Sequence, residues 1–185
     1  MRAFDPGLRP PSPEEIEGFC TAAQRGDIDF LRDMLDKFGA GIVNARDNIN
    51  ARPLTWAAYS GHTEAVELLL QRGAEIDAGG TNDKPALSWA IECGRSETAA
   101  VLLARGASLD VKDNEGLTPA DYAARSEDPA MQAMVDDHRR AAQDHERLHG
   151  ERAREEAARA ASASRIEQLK KTGPGKFRLP GSPKR

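Results

Sequence analysis

Residues 53 to 77 read PLTWAAYSGHTEAVELLLQRGAEID, and residues 86 to 110 read ALSWAIECGRSETAAVLLARGASLD. The stretches lie 33 positions apart and share many residues, among them, in the first stretch, Leu54, Trp56, Ala57, Gly61, Glu64, Leu69, Gly73, Ala74 and Asp77. A fixed period of this length predicts a solenoid, in which each unit folds by packing on its neighbours. Because a solenoid leaves an extended side surface free, binding to a partner is the first function to consider, before catalysis.

The period continues on both sides of these two units. Downstream, residues 113 to 120 (DNEGLTPA) open another unit. Upstream, residues 19 to 26 match residues 54 to 61 at a spacing of 35, and Asn44 returns to a spacing of 33 with Asp77. The chain therefore contains about four units, and the first and the last are degenerate.

These units resemble the ankyrin repeat. That repeat has a hairpin, a first helix that opens with Thr-Pro-Leu-His, a Gly-His turn, and a second helix that ends in Leu-Leu and Gly-Ala. Thr118-Pro119-Ala120, Gly61-His62, Leu69-Leu70 and Gly73-Ala74 carry the resemblance. It covers residues 13 to 138 and implies an ankyrin repeat domain with units at about 13–46, 47–79, 80–112 and 113–138.

The first helices depart from the family pattern at several positions, of which one recurs in every unit. Cys20, Thr55, Ser88 and Asp121 stand where the ankyrin repeat usually has His. Since that His supports the hairpins through side-chain hydrogen bonds, its loss predicts hairpins that are looser than usual.

The residues themselves predict an all-α class. Ser12 to Glu15 (SPEE) has the form of a capping box with proline at the first helical position, and Thr118 to Asp121 (TPAD) has the same form. Gly73 and Gly106 follow helix ends, where a left-handed backbone is needed. No run alternates long enough to form a sheet strand, so the resemblance and the pattern agree on a helical solenoid with short hairpin-like loops.

Composition limits the function classes. A formal net charge of −4 gives no general attraction to nucleic acid or to anionic lipid. Residues 1 to 12 are proline-rich and lack an apolar run, which predicts a flexible N-terminus and no secretory signal. No stretch reaches membrane-spanning length. Two lone cysteines, Cys20 and Cys93, predict reduced thiols in an intracellular protein, in the cytoplasm, the nucleus or both. We expect a monomer.

The chain changes character after the repeats. Residues 139 to 171 are mostly Ala, Arg and Glu, which favour a charged helix. Large apolar residues are too scarce for a heptad seam. One interpretation is a solvated helix that extends the last repeat, with a break at Gly150. The other is a helix induced by a partner, or a weak coiled coil.

Residues 172 to 185 predict a disordered basic tail. No acidic residue follows Glu167, and Gly173-Pro174-Gly175 stops the helix. The terminal Ser182-Pro183-Lys184-Arg185 matches the preference of proline-directed kinases, which makes Ser182 a candidate phosphorylation site; a chance match is the alternative.

One segment resembles a catalytic metal site. His145-Glu146-Arg147-Leu148-His149 matches the H-E-x-x-H spacing, which places two imidazoles on one face of a helix. A charged Arg147 and a solvated surrounding disfavour a zinc enzyme, since no domain encloses the segment. Zinc binding is thus a remote alternative. We expect no catalytic residue, no cofactor and no resident metal, because phosphate-binding loops, paired nucleophiles and CxxC pairs are all absent from the sequence.

The resemblance implies a non-catalytic protein-binding module, an adaptor or a regulatory subunit, that contacts its partner with the hairpin tips and the concave face of the repeats. The alternative is an inhibitor that docks on an enzyme such as a kinase. Nucleic-acid binding through the tail is disfavoured because aromatic residues are not interleaved with the basic ones. The partner-binding positions that the resemblance implies are Asn48, Ile49, Tyr59, Ser60, Thr81, Asn82, Lys84, Glu92, Asn114, Glu115, Leu117 and Arg125.

Aromatic residues recur at one position of the first helices. Trp56, Trp89 and Tyr122 follow one another at 33-residue spacing. Such a ladder packs between adjacent units in one interpretation and forms a partner-facing strip in the other.

We predict that deleting residues 172 to 185 leaves folding intact. The tail has too few apolar residues to offset the entropy lost on ordering. The thermal melting curve of the truncated chain should overlay that of the full chain within error. A large fall in melting temperature would contradict this prediction.

Overall fold

The fold is built from helices, which confirms the predicted all-α class. The computed structural model describes residues 9 to 172, with side chains for residues 9 to 168. No strand occurs within this part of the chain. The α-helices are α1 (Pro13–Arg25), α2 (Ile28–Phe38), α3 (Ala40–Val43), α4 (Pro53–Ser60), α5 (Thr63–Gln71), α6 (Ala86–Glu92), α7 (Ser96–Ala104), α8 (Pro119–Arg125) and α9 (Pro129–Thr172), and a 3-10 turn covers Thr81–Asp83.

The predicted helix ends are present. Ser12 Oγ accepts a hydrogen bond from Glu15 N at 3.3 Å, and the Glu15 carboxylate accepts one from Ser12 N at 2.8 Å, which completes the capping box of α1. Gly73 and Gly106 have φ angles of +92° and +87°. This left-handed backbone is costly for residues with a Cβ atom, and it stops the second helix of a unit before the next hairpin.

Two layers of helices enclose one apolar core. The first helices of the units stack in the order α1, α4, α6 and α8, and the second helices α2, α5 and α7 stack beside them. The largest fully buried side chains come from every unit; they are Phe19, Leu31, Ile42, Leu69, Leu87, Ile91, Leu102 and Met131. Since each helix pair covers only part of its apolar surface, burial is completed by the neighbouring pairs.

Side chains at 33-residue spacing also join neighbouring units through hydrogen bonds. Asn44 Oδ1 accepts from Glu75 N at 2.9 Å, and Asp77 Oδ1 accepts from Ser108 N at 2.9 Å. Asn44 and Asp77 thus perform the same task in successive units, as their spacing predicts. The bonds hold the loop after each second helix against the corresponding loop of the next unit.

The hairpins keep their closing hydrogen bonds without the histidine of the family pattern. The backbone N–H groups of Asp47, Gly80 and Asp113 donate to the carbonyl groups four residues later, at 3.0, 3.1 and 3.0 Å. Thr55, at the histidine position, bonds the backbone N–H and C=O of Arg52. The corresponding Ser88 hydroxyl is buried without a partner among residues 9 to 168, and Pro85, at the Arg52 position, has no N–H to donate to it.

The last helix corrects the predicted break at Gly150. Helix α9 begins at Pro129, inside the residues assigned to the last repeat, and continues through Gly150 to Thr172. A single glycine costs a helix about 1 kcal/mol, which the surrounding Ala, Arg and Glu residues outweigh. The predicted disordered tail and Ser182 lie almost wholly beyond this helix, and residues 173 to 185 are outside the described part of the chain.

The described part of the chain divides into two units, one that ends at Arg139 and one that begins at Arg140. The first contains the stacked helices and the core. In the second, every described side chain is exposed, including Leu148 at 50% and Ile166 at 54%. Among the described helices, none combines the length and the apolarity that crossing a membrane requires.

We predict that Leu102→Ala strongly destabilises the fold. Leu102 is fully buried where α7 meets its neighbours, so the change leaves a cavity that should cost about 2–5 kcal/mol. The matched control is Leu148→Ala at a half-exposed position of α9, with an expected change within about 0.5 kcal/mol. Urea unfolding followed by circular dichroism measures both. Equal losses in the two variants would show that the core is not where the stacked helices place it.

Candidate protein-binding site

An apolar groove opens between the second and third units. Tyr59 of α4 makes edge contacts with Trp56 of the same helix and Trp89 of α6, with ring centroids 6.0 and 5.7 Å apart. The groove has a volume of about 300 Å³. Its lining residues are Ile49, Ala51, Thr55, Trp56, Tyr59, Thr81 and Trp89.

Helix starts at equivalent positions place the rings in register. Helix α4 begins at Pro53, and α6 begins 33 residues later at Ala86. Trp56 and Trp89 therefore occupy the same turn of their helices. The exposed Tyr59 lies one turn further along α4. The two tryptophans are half-buried, so each ring touches its neighbours and still presents a surface to the groove. The two interpretations of the ladder, packing and partner strip, therefore share the same residues.

Aspartates fasten two of the three rings of the ladder to their hairpins. Trp56 Nε1 donates to Asp47 Oδ2 at 2.8 Å, and the Tyr122 hydroxyl donates to Asp113 Oδ2 at 2.6 Å. Asp47 and Asp113 also accept two backbone N–H groups each within their hairpins. The third unit has Gly80 at this position, so Trp89 is not tied to its hairpin in this way.

These bonds change the acidity of both partners at Tyr122. Burial raises the pKa of Asp113, but the hydrogen bonds from Tyr122 and from the N–H groups of Leu117 and Glu115 outweigh it, and the pKa lies below its ordinary value. Burial and the bond to Asp113 raise the pKa of Tyr122. The phenol therefore stays protonated and donates to a charged carboxylate, which makes a stronger bond than a neutral pair.

Lys84 fills the space beside Trp89 on the side of the fourth unit. Its Nζ lies 4.3 Å from the Trp89 ring centroid and 3.8 Å from the Tyr122 ring centroid, and it pairs with the Glu92 carboxylate. Only 5% of Lys84 is exposed. The sequence predicts that Lys84 is exposed and contacts a partner. The predicted exposure is wrong, because the side chain is buried. A lysine considered on its own is expected to be exposed to solvent, but here aromatic rings from two helices enclose the side chain.

Two family models match the chain. One, described as ankyrin repeats in three copies, matches residues 14 to 80. The other, described as ankyrin repeats in many copies, matches residues 69 to 123. The chain belongs to the ankyrin repeat family. Ankyrin repeats are generally protein–protein interaction modules and are typically non-catalytic.

Within this ankyrin fold, the structure separates the predicted partner positions into groups. Ile49, Tyr59 and Thr81 meet in the groove, where Thr81 Oγ1 donates to Ile49 O at 3.0 Å. Ser60 and Leu117 are half-buried outside it. The remaining positions are exposed and do not line the groove; they are Asn48, Asn82, Glu92, Asn114, Glu115 and Arg125. Whether any of them contacts a partner stays a prediction.

The predicted set omits groove residues that the sequence could have indicated. The sequence predicts Trp56 and Trp89 only as a ladder, although the three-residue spacing of Trp56 and Tyr59 on one helix already makes these two rings neighbours. Thr55 lies on the groove wall and is 3% exposed. Nothing in its identity distinguishes it from the other residues at the histidine position, so this contact required the structure.

The histidine pair of the HERLH segment lies on α9. The rings of His145 and His149 are 4.3 Å apart between centroids, and both side chains are exposed. No group of three or more potential metal ligands occurs among the described residues. Two imidazoles in water do not make a closed structural site or a catalytic one, both of which need at least three protein ligands.

A second hollow lies on the first unit, at the N-terminal end of the stacked helices. It has a volume of about 480 Å³ and is open to solvent on α1 and α2. Half of its lining residues are charged; the lining consists of Glu14, Glu17, Gly18, Thr21, Ala22, Arg25, Asp27 and Phe30. The groove between the second and third units is smaller but has three aromatic walls, so it is the better candidate for a protein contact.

We predict that Tyr122→Phe weakens the fold by about 1 kcal/mol at pH 7 by removing the hydroxyl donor to Asp113. Because the folded-state pKa of Asp113 is lowered, its contribution is present above the ordinary value near 4 and is lost as the pH falls through the lowered pKa. The stability difference between wild type and variant should therefore shrink progressively as the pH falls below the ordinary range of an aspartate. Urea unfolding across this range measures it.

Tyr59→Phe provides the matched control for this experiment. Tyr59 is 41% exposed and its hydroxyl is not part of a hairpin bond. Its stability should stay within about 0.5 kcal/mol of wild type at every pH. A Tyr122→Phe difference that persists unchanged at low pH would mean that the hydroxyl acts through packing and not through the Asp113 carboxylate.

Proposed function

We propose that this ankyrin-repeat chain is a non-catalytic adaptor or regulatory subunit that binds a protein partner through its hairpin tips and the face of its first helices, with the groove at Tyr59 as the centre. One observation carries the proposal. Ile49 is 51% exposed and Tyr59 is 41% exposed, and both line an aromatic groove beside Trp56 and Trp89.

The chemistry of the groove supports a protein contact. Tyr and Trp are enriched among the residues that contribute most to binding, because they bring large apolar area with little side-chain entropy. Packing orders both half-buried tryptophans before a partner arrives, and the hydrogen bond to Asp47 also holds Trp56. Less entropy is then lost on binding than with a flexible surface.

Variation along the repeats supports specificity. Core positions recur from unit to unit, whereas three sets of outward positions vary more: two of them change both charge and size, and one alternates between Asn and Thr. The sets are Asn48, Thr81 and Asn114; Ile49, Asn82 and Glu115; and Tyr59, Glu92 and Arg125. A surface that is apolar at one unit and charged at the next can match one partner and reject others. Inhibition of a bound enzyme, such as a kinase, is a special case of this proposal.

We place the binding inside the cell, in the cytoplasm or the nucleus. Cys20 and Cys93 are both free thiols in the structure, and burial raises the pKa of Cys20 to about 12. A thiol of this kind stays protonated and unreactive at neutral pH. Unpaired cysteines are typical of reducing compartments.

We predict that Tyr59→Ala weakens partner binding by at least about 1 kcal/mol while stability changes by less than about 1 kcal/mol. Partners are captured with the immobilised full chain, identified by mass spectrometry, and titrated against the wild type and the variant by calorimetry. Ile49→Ser should act in the same direction, because it lines the same groove.

The matched control is Phe30→Ala. Phe30 is also 41% exposed but lines the hollow on α1 and α2. Its affinity for the captured partner should equal that of the wild type. If Phe30→Ala weakens binding and Tyr59→Ala does not, the partner contacts the α1–α2 hollow and our placement of the site is wrong.

A further inference from the structure

The third and fourth units together contain a lysine slot that is already filled. Its walls are the rings of Trp89 and Tyr122, its occupant is Lys84, and its acceptor is Glu92. The ammonium group lies 4.3 and 3.8 Å from the two ring centroids. Both distances are within the range in which a cation is attracted to the face of an aromatic ring.

The same construction occurs one repeat earlier without its lysine. Moving back 33 residues converts the wall pair Trp89 and Tyr122 into Trp56 and Trp89. The same shift converts Lys84 into Ala51 and Glu92 into Tyr59. The groove of about 300 Å³ therefore lies in the equivalent slot, and it is open because alanine cannot reach between the rings.

From this internal comparison we infer that the groove accepts a lysine side chain of the protein partner, inserted between Trp56 and Trp89 as Lys84 is inserted between Trp89 and Tyr122. The inference deepens the proposed function, on which it rests, by naming the chemical group that the groove recognises. The partner is thus a protein that presents a lysine on its contacting surface.

The walls of the open slot favour a cation more than those of the filled one. Trp attracts a cation more strongly than Tyr or Phe does, and both walls here are Trp. Tyr59 adds a third ring, with edge contacts to both tryptophans. The methylene stem of a lysine would cover the apolar lining formed by Ile49 and Ala51.

The mouth of the slot removes the need for a carboxylate. Lys84 is enclosed and requires Glu92, since an unpaired buried ammonium is costly. Tyr59 stands at the Glu92 position and is 41% exposed, so this end of the groove opens to water. An inserted ammonium group keeps part of its hydration there and pays less desolvation than Lys84 would without its partner.

The test uses the two tryptophans as reporters. They are the only ones in the chain, and both are walls of the slot. The full chain, labelled with ¹⁵N, is titrated with Nα-acetyl-lysine amide, whose side-chain ammonium group is free. It is titrated separately with Nα-acetyl-norleucine amide, which has a similar apolar stem but no charge. We expect saturable shifts of both indole N–H signals, with at least about fivefold weaker binding for the norleucine compound.

A substitution that fills the slot provides the second arm. Ala51→Lys should place a lysine between Trp56 and Trp89, retain the melting temperature and abolish the shifts caused by N-acetyl-lysine amide. Ala104→Lys, at an exposed position of α7, adds the same charge elsewhere and should leave the titration unchanged. If Ala51→Lys fails to fold, the comparison of lysine with norleucine on the wild type still decides the question.

Three results would overturn the inference. Equal affinity for both compounds would assign the groove to an apolar side chain. Absence of any indole shift would show that the groove does not bind a lysine side chain. Indole shifts on deletion of residues 172 to 185 would assign the slot to the chain's own basic tail. None of these results affects partner capture or the Tyr59→Ala comparison, so the proposed function fails or survives separately.

Discussion

Each helix pair in this chain buries its apolar surface only by packing against the neighbouring pairs. This mutual burial sets the register in which equivalent residues of successive units lie. Leu69 and Leu102 are fully buried because units of the same length stack without a change of register. An insertion inside a helix of the middle units would displace both the apolar contacts and the hydrogen bond that Asp77 accepts from the following loop. The 33-residue period is therefore a packing constraint, and surface residues follow the same period as the buried ones.

The inherited register explains why surface positions can be compared between units. Asp47 and Asp113 hold the same hairpin geometry, and each also accepts a hydrogen bond from the ring nine residues later. Gly80 retains the hairpin but lacks the carboxylate, and a Cβ atom there would meet Thr55 Oγ1 at 2.9 Å. The glycine thus permits close packing of the third hairpin on α4, next to the groove.

Sequence reasoning succeeds where one residue determines one local structure. The capping serine, the left-handed glycines and the period follow from steric and hydrogen-bonding rules that act over a few residues. It fails for Lys84, whose environment is created by Tyr122, a residue 38 positions later. It fails at Gly150 because propensity is summed over a helix, and one glycine does not cancel the residues around it. The groove is open because Ala51 has no long side chain to fill it. This follows only from comparing Ala51 with Lys84, which fills the equivalent space one repeat later.

The same comparison explains why the groove occurs at one interface and not at every interface. Between the first and second units, the positions of Trp56 and Tyr59 are taken by Thr21 and Gln24, so the first unit contributes no rings. Between the third and fourth units, Lys84 and Glu92 occupy the available space. Only between the second and third units do paired tryptophans coincide with a small residue at the lysine position. Among these three interfaces, only this one offers the aromatic slot, and the partner must align its lysine with it.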